Sequence, residues 1–182
     1  MVLPAFNREK KVNDTEIIDI GGSFLPKNKE EVLNLIATDE MTPFHHAVFS
    51  QGHGPTNYEK WYFANPSSES SSYAIDYAMK YEPYVIGYAR EPDVPQYCQS
   101  FRGFGYNKWT WIMEAYFTGF QFAVLKDSFV VHIDHPLSAQ RQDQMYTNKP
   151  KYQRFRGSLR NKLPWNKEDF DDLFYGMHHI AE

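Results

Sequence analysis

A helical pattern that runs directly into two buried strands constrains the fold of this chain more than any other feature. The helix begins at Asn107 or Lys108, and Gly119 stands where a helix commonly ends. Apolar runs at residues 122–125 and 129–131 follow, each with the length and composition of a buried strand. Because helix and strands alternate so closely, the sequence predicts an α/β fold in which a mixed sheet is flanked by helices.

Other segments predict further elements of the same fold class. Asn28 and Glu31 have the spacing of a capping box, which predicts a helix N-terminus ahead of an apolar stripe. We expect strands at residues 2–6, 44–49, 73–79 and 84–88, and helices at 57–61, 153–162 and 167–175. In the helix before Gly119, the residues expected to face the core are Trp111, Ile112, Ala115 and Tyr116. We expect one domain over residues 1–182, with a helical C-terminal extension at residues 135–182.

The composition is that of a globular domain rather than a nucleic-acid-binding protein. Of the 182 residues, 42% are hydrophobic, which is enough for a compact core. The formal net charge is −4, whereas a protein that neutralises many phosphates is normally basic, so we expect no nucleic-acid partner. Aromatic residues make up 17% of the chain, and they suit either core packing or the stacking of sugar rings.

Cysteine content and hydropathy leave the cellular compartment open. Cys98 is the single cysteine, so the chain has no intrachain disulfide, which does not exclude the secretory pathway. No run of about 18 apolar residues is present, and the apolar run at residues 1–6 is too short for a signal peptide. We therefore expect no membrane segment, signal or anchor in this chain.

Several short segments, taken in order, form a recognisable pattern. Those in the second half are YEPYV at 81–85, PQY at 95–97, FRGFGYNK at 101–108, GFQFAVL at 119–125 and FVVHIDH at 129–135. Those upstream are VLPAF at 2–6, PKNKE at 26–30 and QGHGPTNYEKW at 51–61. This ordered set resembles glycosyltransferase family 49, which includes the LARGE glucuronyltransferase domain and beta-1,4-glucuronyltransferase. The resemblance covers residues 1–155.

The resemblance implies a GT-A-like fold and the chemistry of an inverting, metal-dependent glycosyltransferase. The donor would be a UDP-sugar that carries a glucuronyl or N-acetylglucosaminyl group, and the acceptor would be a glycan. A divalent cation, expected to be Mn²⁺, stabilises the departing diphosphate, and hard oxygen ligands with an imidazole suit such an ion. A general base must also take the proton of the acceptor hydroxyl, which typically contributes ~10²–10⁴-fold in rate.

The metal ligands that the resemblance assigns are histidines at the end of a buried strand. His132 matches the late histidine of the family, and His135 is the second candidate. Without the family pattern, His132 would be interpreted as a strand-end imidazole bonded to the backbone. The carboxylate ligands belong to an Asp-x-Asp motif that should precede Val2, so the resemblance implies a chain truncated at its N-terminal nucleotide-binding half.

Candidate catalytic and binding residues lie in the same segments. Asp93 and Glu114 are the catalytic candidates, and Glu82 is a further carboxylate nearby, so the general base is not uniquely assigned. Cys98 stands where relatives usually carry an acidic residue, and Asp93 is the candidate to replace that function. Glycines let a backbone approach a ligand closely and helix starts favour anions, although such residues more often form plain turns and solvated surfaces. The substrate-binding candidates are His53, Glu82, Gly103, Gly105, Asn107 and Lys108.

A basic series near the C-terminus has two possible uses. A run of this kind is most often a solvated helix face, but it could also steer an anionic donor or an acidic glycan. The series comprises Lys149, Lys151, Arg154, Arg156, Arg160 and Lys162.

Three classes of function remain open at this point. The first is the family activity, which would place the protein in the Golgi or secretory pathway. The second is a non-catalytic carbohydrate-binding or structural remnant that lacks the donor half. The third, a metallohydrolase built on the His132–His135 segment, would need further ligands such as His45, His46 and His53.

Overall fold

A computed structural model describes residues 1–8, 25–87, 94–133, 139–162 and 170–171. The chain divides by its contacts into two compact units. Unit 1 comprises Met1–Tyr77, Pro83–Gly87 and Gln121–Pro136, and unit 2 comprises Ala78–Glu82, Tyr88–Phe120 and Leu137–Glu182. The described residues form two mixed sheets, both in unit 1, with helices in each unit, which confirms the predicted α/β class. That residues 1–182 form one domain stays a prediction.

The first sheet of the described residues has four short strands in the order β4–β6–β1–β5. They are β1 (Val2–Leu3), β4 (Ser72–Ile75), β5 (Tyr84–Val85) and β6 (Phe122–Leu125). Strand β1 pairs in parallel with β6 and antiparallel with β5, and β4 pairs antiparallel with β6. Val2 and Val124 are partners in the central pair and are both fully buried, so the centre of this sheet belongs to the core.

A second sheet within the described ranges has three strands in the order β3–β2–β7. They are β2 (Ala5–Arg8), β3 (Met41–Pro43) and β7 (Val130–Ile133). Strand β2 pairs in parallel with β7 and antiparallel with β3. The single strand predicted at residues 2–6 is therefore two strands in two sheets. It divides at Pro4, whose nitrogen cannot donate to a ladder.

Short α-helices of unit 1 are α1 (Lys29–Ala37), α2 (Ser50–His53) and α3 (Tyr58–Phe63). The predicted capping residues begin α1, where Asn28 Oδ1 accepts a hydrogen bond from the Glu31 amide at 2.9 Å. The Glu31 carboxylate accepts from the Lys27 amide at 2.7 Å and from the Asn28 side chain at 3.1 Å. The helix predicted at residues 57–61 is confirmed as α3.

Two aromatic side chains of α3 hold this helix against both sheets. The Trp61 ring is fully buried, 5.2 Å from the Phe6 ring in β2, and its Nε1 donates to the Leu125 carbonyl of β6 at 3.0 Å. The Tyr58 hydroxyl donates to the Ala5 carbonyl at 2.9 Å. Each ring buries apolar area while its polar atom is satisfied, which favours burial of both.

Some strand predictions in unit 1 are wrong or too long. Residues 44–48 form turns rather than the strand predicted at 44–49, and β3 lies just before them. His45 has a φ of +54°, which an extended strand does not accommodate. The strand predicted at residues 73–79 ends at Ile75. Of the strand predicted at residues 84–88, the structure shows the first two positions as β5.

Two long helices form most of the described part of unit 2, namely α4 (Asn107–Phe117) and α5 (Arg141–Lys162). Helix α4 starts at the first predicted position, and Gly119 follows its end with a φ of +97°, as predicted. Trp111 and Tyr116 were expected in the core but are half-buried. The buried face is turned toward Met113 and Phe117, because Phe117 packs on Phe170 at a ring separation of 4.8 Å.

Helix α5 is longer than the helix predicted at residues 153–162. It begins at Arg141 and continues through Pro150, which removes one backbone donor. Hydrogen bonds that Gln144 accepts from the Phe104 amide and that Asn148 donates to the carbonyls of Arg102 and Phe104 anchor the turns before the proline, so tertiary contacts outweigh local propensity. The helix predicted at 167–175 lies outside the described residues, apart from positions 170–171.

Candidate functional site

A loop with left-handed backbone conformations leads into α4, and we call residues 101–106 the glycine loop. Gly103, Gly105 and Tyr106 have φ values of +62°, +93° and +69°. Glycine adopts this conformation without the steric cost of a Cβ atom, so both glycines serve the shape of the loop. Tyr106 is held in the same region by its ring, which stacks on Tyr152 with a centroid separation of 5.0 Å.

Asn148 of α5 holds the glycine loop in place. Its side chain is fully buried, and Nδ2 donates to the carbonyls of Arg102 at 2.9 Å, Phe104 at 3.0 Å and Gly105 at 3.3 Å. Its Oδ1 accepts from the Arg102 amide at 3.2 Å and from Lys151 Nζ at 3.1 Å. One buried amide thus satisfies several backbone groups, each of which would cost about 1–3 kcal/mol if left unpaired.

Gln144, one turn earlier on α5, secures the same loop. Its Oε1 accepts a hydrogen bond from the Phe104 amide at 2.8 Å. A Cβ atom placed on Gly103 would lie 2.4 Å from that oxygen, well inside contact distance. A side chain at position 103 would therefore displace the Gln144 amide from its hydrogen bond to Phe104, in addition to the cost of its own backbone conformation.

The charges of Glu82, Lys108 and Arg141 act on one another within unit 2. Burial raises the pKa of Glu82, and the positive charges of Lys108 and Arg141 oppose that rise. Burial lowers the pKa of Lys108, and the charge of Glu82 opposes that shift. Each group is partly withdrawn from water and close to an opposite charge, an arrangement that is common at functional sites. Such a carboxylate is able to bind a hydroxyl group and accept its proton.

Partly exposed aromatic side chains belong to the same region of unit 2. Tyr97 is 53% exposed and stacks on Trp111 with a centroid separation of 5.3 Å. Burial raises the pKa of Tyr97, and the charge of Glu82 adds to that rise. Phe104 is 40% exposed, and the Arg141 guanidinium lies 3.8 Å from its ring centroid. Aromatic faces combined with a carboxylate and cations suit a ligand that has both apolar faces and hydroxyl groups.

In unit 1, three histidines contact the ring of Phe44. We call His45, His53 and His132 the histidine cluster. Their ring centroids lie 3.8, 4.7 and 4.7 Å from that of Phe44. His45 lies 6.2 Å from His132 and 6.4 Å from His53, measured between ring centroids. The cluster therefore unites a turn after β3, the end of α2 and strand β7.

His132 faces Asn7 across the β2–β7 pair. The two residues are partners in the strand register, and His132 Nδ1 lies 3.2 Å from Asn7 Oδ1. With the amide oxygen toward the ring, Nδ1 carries the proton and donates it, which leaves the lone pair on Nε2. A partner that orients the ring in this way is typical of metal-binding histidines.

The described residues do not by themselves form a metal site. They contain no group of three or more His, Cys, Asp and Glu side chains that could hold a metal ion. His135, the second predicted ligand, lies outside the described residues. Among the described residues, His132 can therefore supply one imidazole ligand at most. His45 and His53 lie in the same cluster, but they do not complete the metallohydrolase centre considered above.

Comparison with known protein families decides what kind of protein carries these groups. Residues 2–164 match the family described as "Glycosyl-transferase for dystroglycan". The chain belongs to this family. The resemblance of the ordered sequence motifs is thereby confirmed, and the family to which the chain belongs is one of glycosyltransferases.

The relatives of this chain are named as transferases or as transferase-like. Xylosyl- and glucuronyltransferase LARGE1 of Homo sapiens is 33% identical over 135 residues, which are 74% of this chain and 16% of that protein. Beta-1,4-glucuronyltransferase 1 of Danio rerio is 31% identical over 149 residues, 77% of this chain and 33% of that protein. Glycosyltransferase-like protein gnt14 of Dictyostelium discoideum is 29% identical over 137 residues, 75% of this chain and 19% of that protein. The chain thus spans no more than 33% of the length of these relatives.

The predicted substrate-binding residues of the chain fall into two groups. Five of the six belong to unit 2, namely Glu82, Gly103, Gly105, Asn107 and Lys108. Asn107 joins loop to helix, since its Oδ1 accepts from the Lys108 amide at 2.8 Å and its Nδ2 donates to the Gly103 carbonyl at 3.5 Å. His53 lies instead in unit 1, where it is 2% exposed within the histidine cluster. Their binding roles stay predictions.

The catalytic candidates are less uniformly placed. Glu114 is half-buried in α4, where burial raises its pKa and Lys162 opposes the rise. Asp93 lies outside the described residues, so its proposed replacement of an acidic side chain at Cys98 stays a prediction. Cys98 Sγ lies 3.0 Å from Ser100 Oγ.

Sequence reasoning does not identify Asn148, Arg141 or Tyr97 as parts of this region. Arg141 and Asn148 lie in the predicted helical extension at residues 135–182, but they precede the helix predicted at residues 153–162. Once α5 is known, the signal is clear, because Arg141, Gln144 and Asn148 are spaced as one face of a helix. Tyr97 belongs to a quoted motif, but its stacking on Trp111 depends on the folded chain.

Proposed function

We propose that this protein carries the acceptor-side part of an inverting, metal-dependent glycosyltransferase with a GT-A-like fold. It transfers a glucuronyl group, or as second choice an N-acetylglucosaminyl group, from a UDP-sugar to a glycan acceptor. Support for glucuronyl comes from the names of two relatives, both of which are called glucuronyltransferases. On the same resemblance we propose that it works in the Golgi or secretory pathway.

The observation that carries this proposal is the partly buried Glu82, on which the positive charges of Lys108 and Arg141 act. As the acceptor hydroxyl oxygen attacks the anomeric carbon and the bond to UDP breaks, the Glu82 carboxylate takes the hydroxyl proton. A raised pKa makes Glu82 a stronger proton acceptor, while the charges of Lys108 and Arg141 favour its ionised form. Tyr97 and Phe104 provide aromatic faces against which the acceptor sugar is oriented.

Mn²⁺ belongs to the proposal, although the described residues do not hold it alone. When bound, the ion stabilises the negative charge of the departing UDP. His132 provides one ligand through the nitrogen that does not face Asn7. We propose that the carboxylate ligands come from outside the described residues, because these contain no group of three or more His, Cys, Asp and Glu side chains that could hold a metal ion.

A non-catalytic carbohydrate-binding or structural remnant is not favoured by the comparisons, because the matched relatives are named as transferases. No helix in the described ranges has the length and apolar character to cross a membrane.

The test is a transfer assay with the protein expressed from its complete coding sequence. UDP-glucuronic acid and UDP-N-acetylglucosamine are each incubated with a panel of glycan acceptors and Mn²⁺, and products are identified by mass spectrometry. We expect a glucuronyl product that disappears with EDTA and returns with added Mn²⁺. No transfer from either donor would contradict the transferase proposal, and transfer that EDTA does not affect would contradict its metal dependence.

A further inference from the structure

The segment PQY at residues 95–97 is held by one side chain of α4, namely Trp111. The indole Nε1 of Trp111 donates a hydrogen bond to the Pro95 carbonyl at 2.6 Å. The ring of Trp111 also stacks on the ring of Tyr97, with a centroid separation of 5.3 Å and an angle of 12° between the two planes. Trp111 therefore fixes the backbone of this segment at one position and a side chain two positions later.

This stack leaves part of the Tyr97 ring open to solvent. Tyr97 is 53% exposed although Trp111 covers one of its faces, so the exposed area lies on the opposite face and at the ring edge. We call Tyr97 and the Trp111 ring behind it the aromatic platform. An aromatic side chain that is already held in one orientation loses little conformational entropy when a ligand binds to it. The aromatic platform is therefore pre-organised for a flat apolar ligand surface.

Glu82 belongs to the same unit as the aromatic platform and acts on it electrostatically. Burial raises the pKa of Tyr97, and the negative charge of Glu82 adds to that rise. Because charges near a protein surface are screened over about 10 Å, the carboxylate of Glu82 and the hydroxyl of Tyr97 are neighbours. A sugar ring that stacks on Tyr97 therefore has its hydroxyl groups near the carboxylate to which we assign the acceptor proton.

We propose that Trp111 is a positioning residue, which holds Tyr97 so that its open face binds a neutral pyranose ring of the acceptor. A pyranose with equatorial hydroxyl groups has C–H groups on both faces, and these suit an aromatic face, whereas its hydroxyl groups point outward to polar partners. Trp111 does not contact the sugar, because it lies behind Tyr97. The role of this sugar as acceptor rests on the proposed function, whereas its binding does not.

Binding is tested by NMR titration of the complete protein with methyl β-D-glucopyranoside. The C–H protons of the sugar should shift upfield, because protons above an aromatic face lie in its ring current. Tyr97→Ala should remove this shift and weaken binding about fivefold to tenfold. Tyr97→Phe should keep most of the affinity, because it keeps the ring face. A wild-type protein that does not shift the C–H protons of the glucoside would overturn the proposal.

The positioning role is tested by transfer kinetics of Trp111→Phe. This variant keeps a ring behind Tyr97 but cannot donate to the Pro95 carbonyl, so the acceptor KM should rise about threefold for the loss of one hydrogen bond. The kcat and the KM of the UDP-sugar should stay at their wild-type values, since only acceptor binding is weakened. Trp111→Ala removes the stacked ring as well and should raise the acceptor KM about tenfold.

Tyr146→Ala is the matched control for the aromatic substitutions. Tyr146 is 80% exposed in α5, and its position in the helix places it on the other side from Gln144 and Asn148. It should leave the acceptor KM and the binding of the glucoside unchanged. Equal losses in Tyr146→Ala and Tyr97→Ala would overturn the proposal.

A merely structural role of Trp111 would give a different kinetic pattern. Trp111→Phe would then lower kcat and raise the KM of acceptor and donor together, in line with a lower stability in urea denaturation, and this would overturn the positioning role. If the glucoside binds through Tyr97 and Trp111 but no sugar is transferred, the proposed function fails and the aromatic platform stands. If transfer occurs and both Trp111 variants keep the wild-type acceptor KM, the positioning role alone fails.

Discussion

The histidine cluster and the glycine loop show two ways in which this protein brings distant residues together. In the cluster, rings pack around Phe44, with one hydrogen bond from His132 to Asn7 fixing a ring orientation. In the glycine loop, a fully buried Asn148 binds successive backbone groups. Packed rings can rotate slightly and stay in contact, whereas a small rotation of the Asn148 amide would weaken several hydrogen bonds at once. The comparison indicates that the loop is the more rigidly defined of the two regions.

The largest effect on stability is expected for Asn148→Ala. The substitution leaves carbonyls of the glycine loop without their donor, which should lower the free energy of unfolding by about 3 kcal/mol. Urea denaturation measures this change, and hydrogen exchange should become faster at residues 102–105. Asn161→Ala, at an exposed position of the same helix, is the control and should change little. Equal losses in both variants would show that Asn148 does not hold the loop.

A smaller loss is expected for Gly103→Ala. The new Cβ atom would meet Gln144 Oε1 at 2.4 Å, and a φ of +62° is unfavourable for alanine, so about 1–3 kcal/mol should be lost. Gly157→Ala is the matched control, because a Cβ atom there meets no atom within 4 Å and the residue is helical. It should be neutral or stabilise the protein by about 0.5–1 kcal/mol. Full stability of the Gly103 variant would refute the close packing of the loop on α5.

For the histidine cluster, removal of the Asn7 side chain should cost less, about 0.5–1.5 kcal/mol, because one hydrogen bond is lost. The more informative readout is the tautomer of His132 in nitrogen-15 NMR spectra. We expect the proton on Nδ1 in the wild type and a mixture of tautomers in Asn7→Ala. A wild-type proton on Nε2 would contradict the orientation that we assign for metal binding.

The smallest expected effect is on the pH dependence of stability. Because burial raises the folded-state pKa of Glu82, the folded protein binds this proton more tightly than the unfolded chain. The contribution of Glu82 to stability is therefore largest below its unfolded pKa and falls as the pH rises through its folded pKa. Glu82→Gln should remove that fall, while Glu59→Gln, at an exposed position, should not. Parallel stability curves for wild type and Glu82→Gln would contradict the raised pKa.

Features of the fold that depend on residues close together in the sequence are predictable from it. The Asn28–Glu31 cap, the helix end at Gly119 and the strand at residues 122–125 are confirmed, because each is determined by local hydrogen bonding or by a short apolar run. The division of residues 2–6 between two sheets is not predictable in this way. It depends on which distant strands pair with each side of Pro4.

In the candidate site, too, local features are predictable from the sequence and long-range contacts are not. Gly103 and Gly105 stand out because their conformations are a property of glycine itself. Asn148, which holds them, is 43 to 46 positions away from the carbonyls it binds, and an asparagine in a basic helix carries no signal of that contact. The meeting of His45 and His53 with His132 likewise depends on how distant elements pack.

Glu82 as the base that deprotonates the acceptor is the central claim, and kinetics of the complete protein test it most directly. Initial rates of sugar transfer are measured for wild type, Glu82→Gln, Glu114→Gln and Glu59→Gln at saturating UDP-sugar. We expect Glu82→Gln to lower kcat by ~10²–10⁴-fold, the usual contribution of a general base, with a much smaller change in the acceptor KM. Glu59→Gln should match the wild type. If Glu82→Gln kept the wild-type kcat while Glu114→Gln lost it, the proton would go to Glu114 and the claim would be wrong.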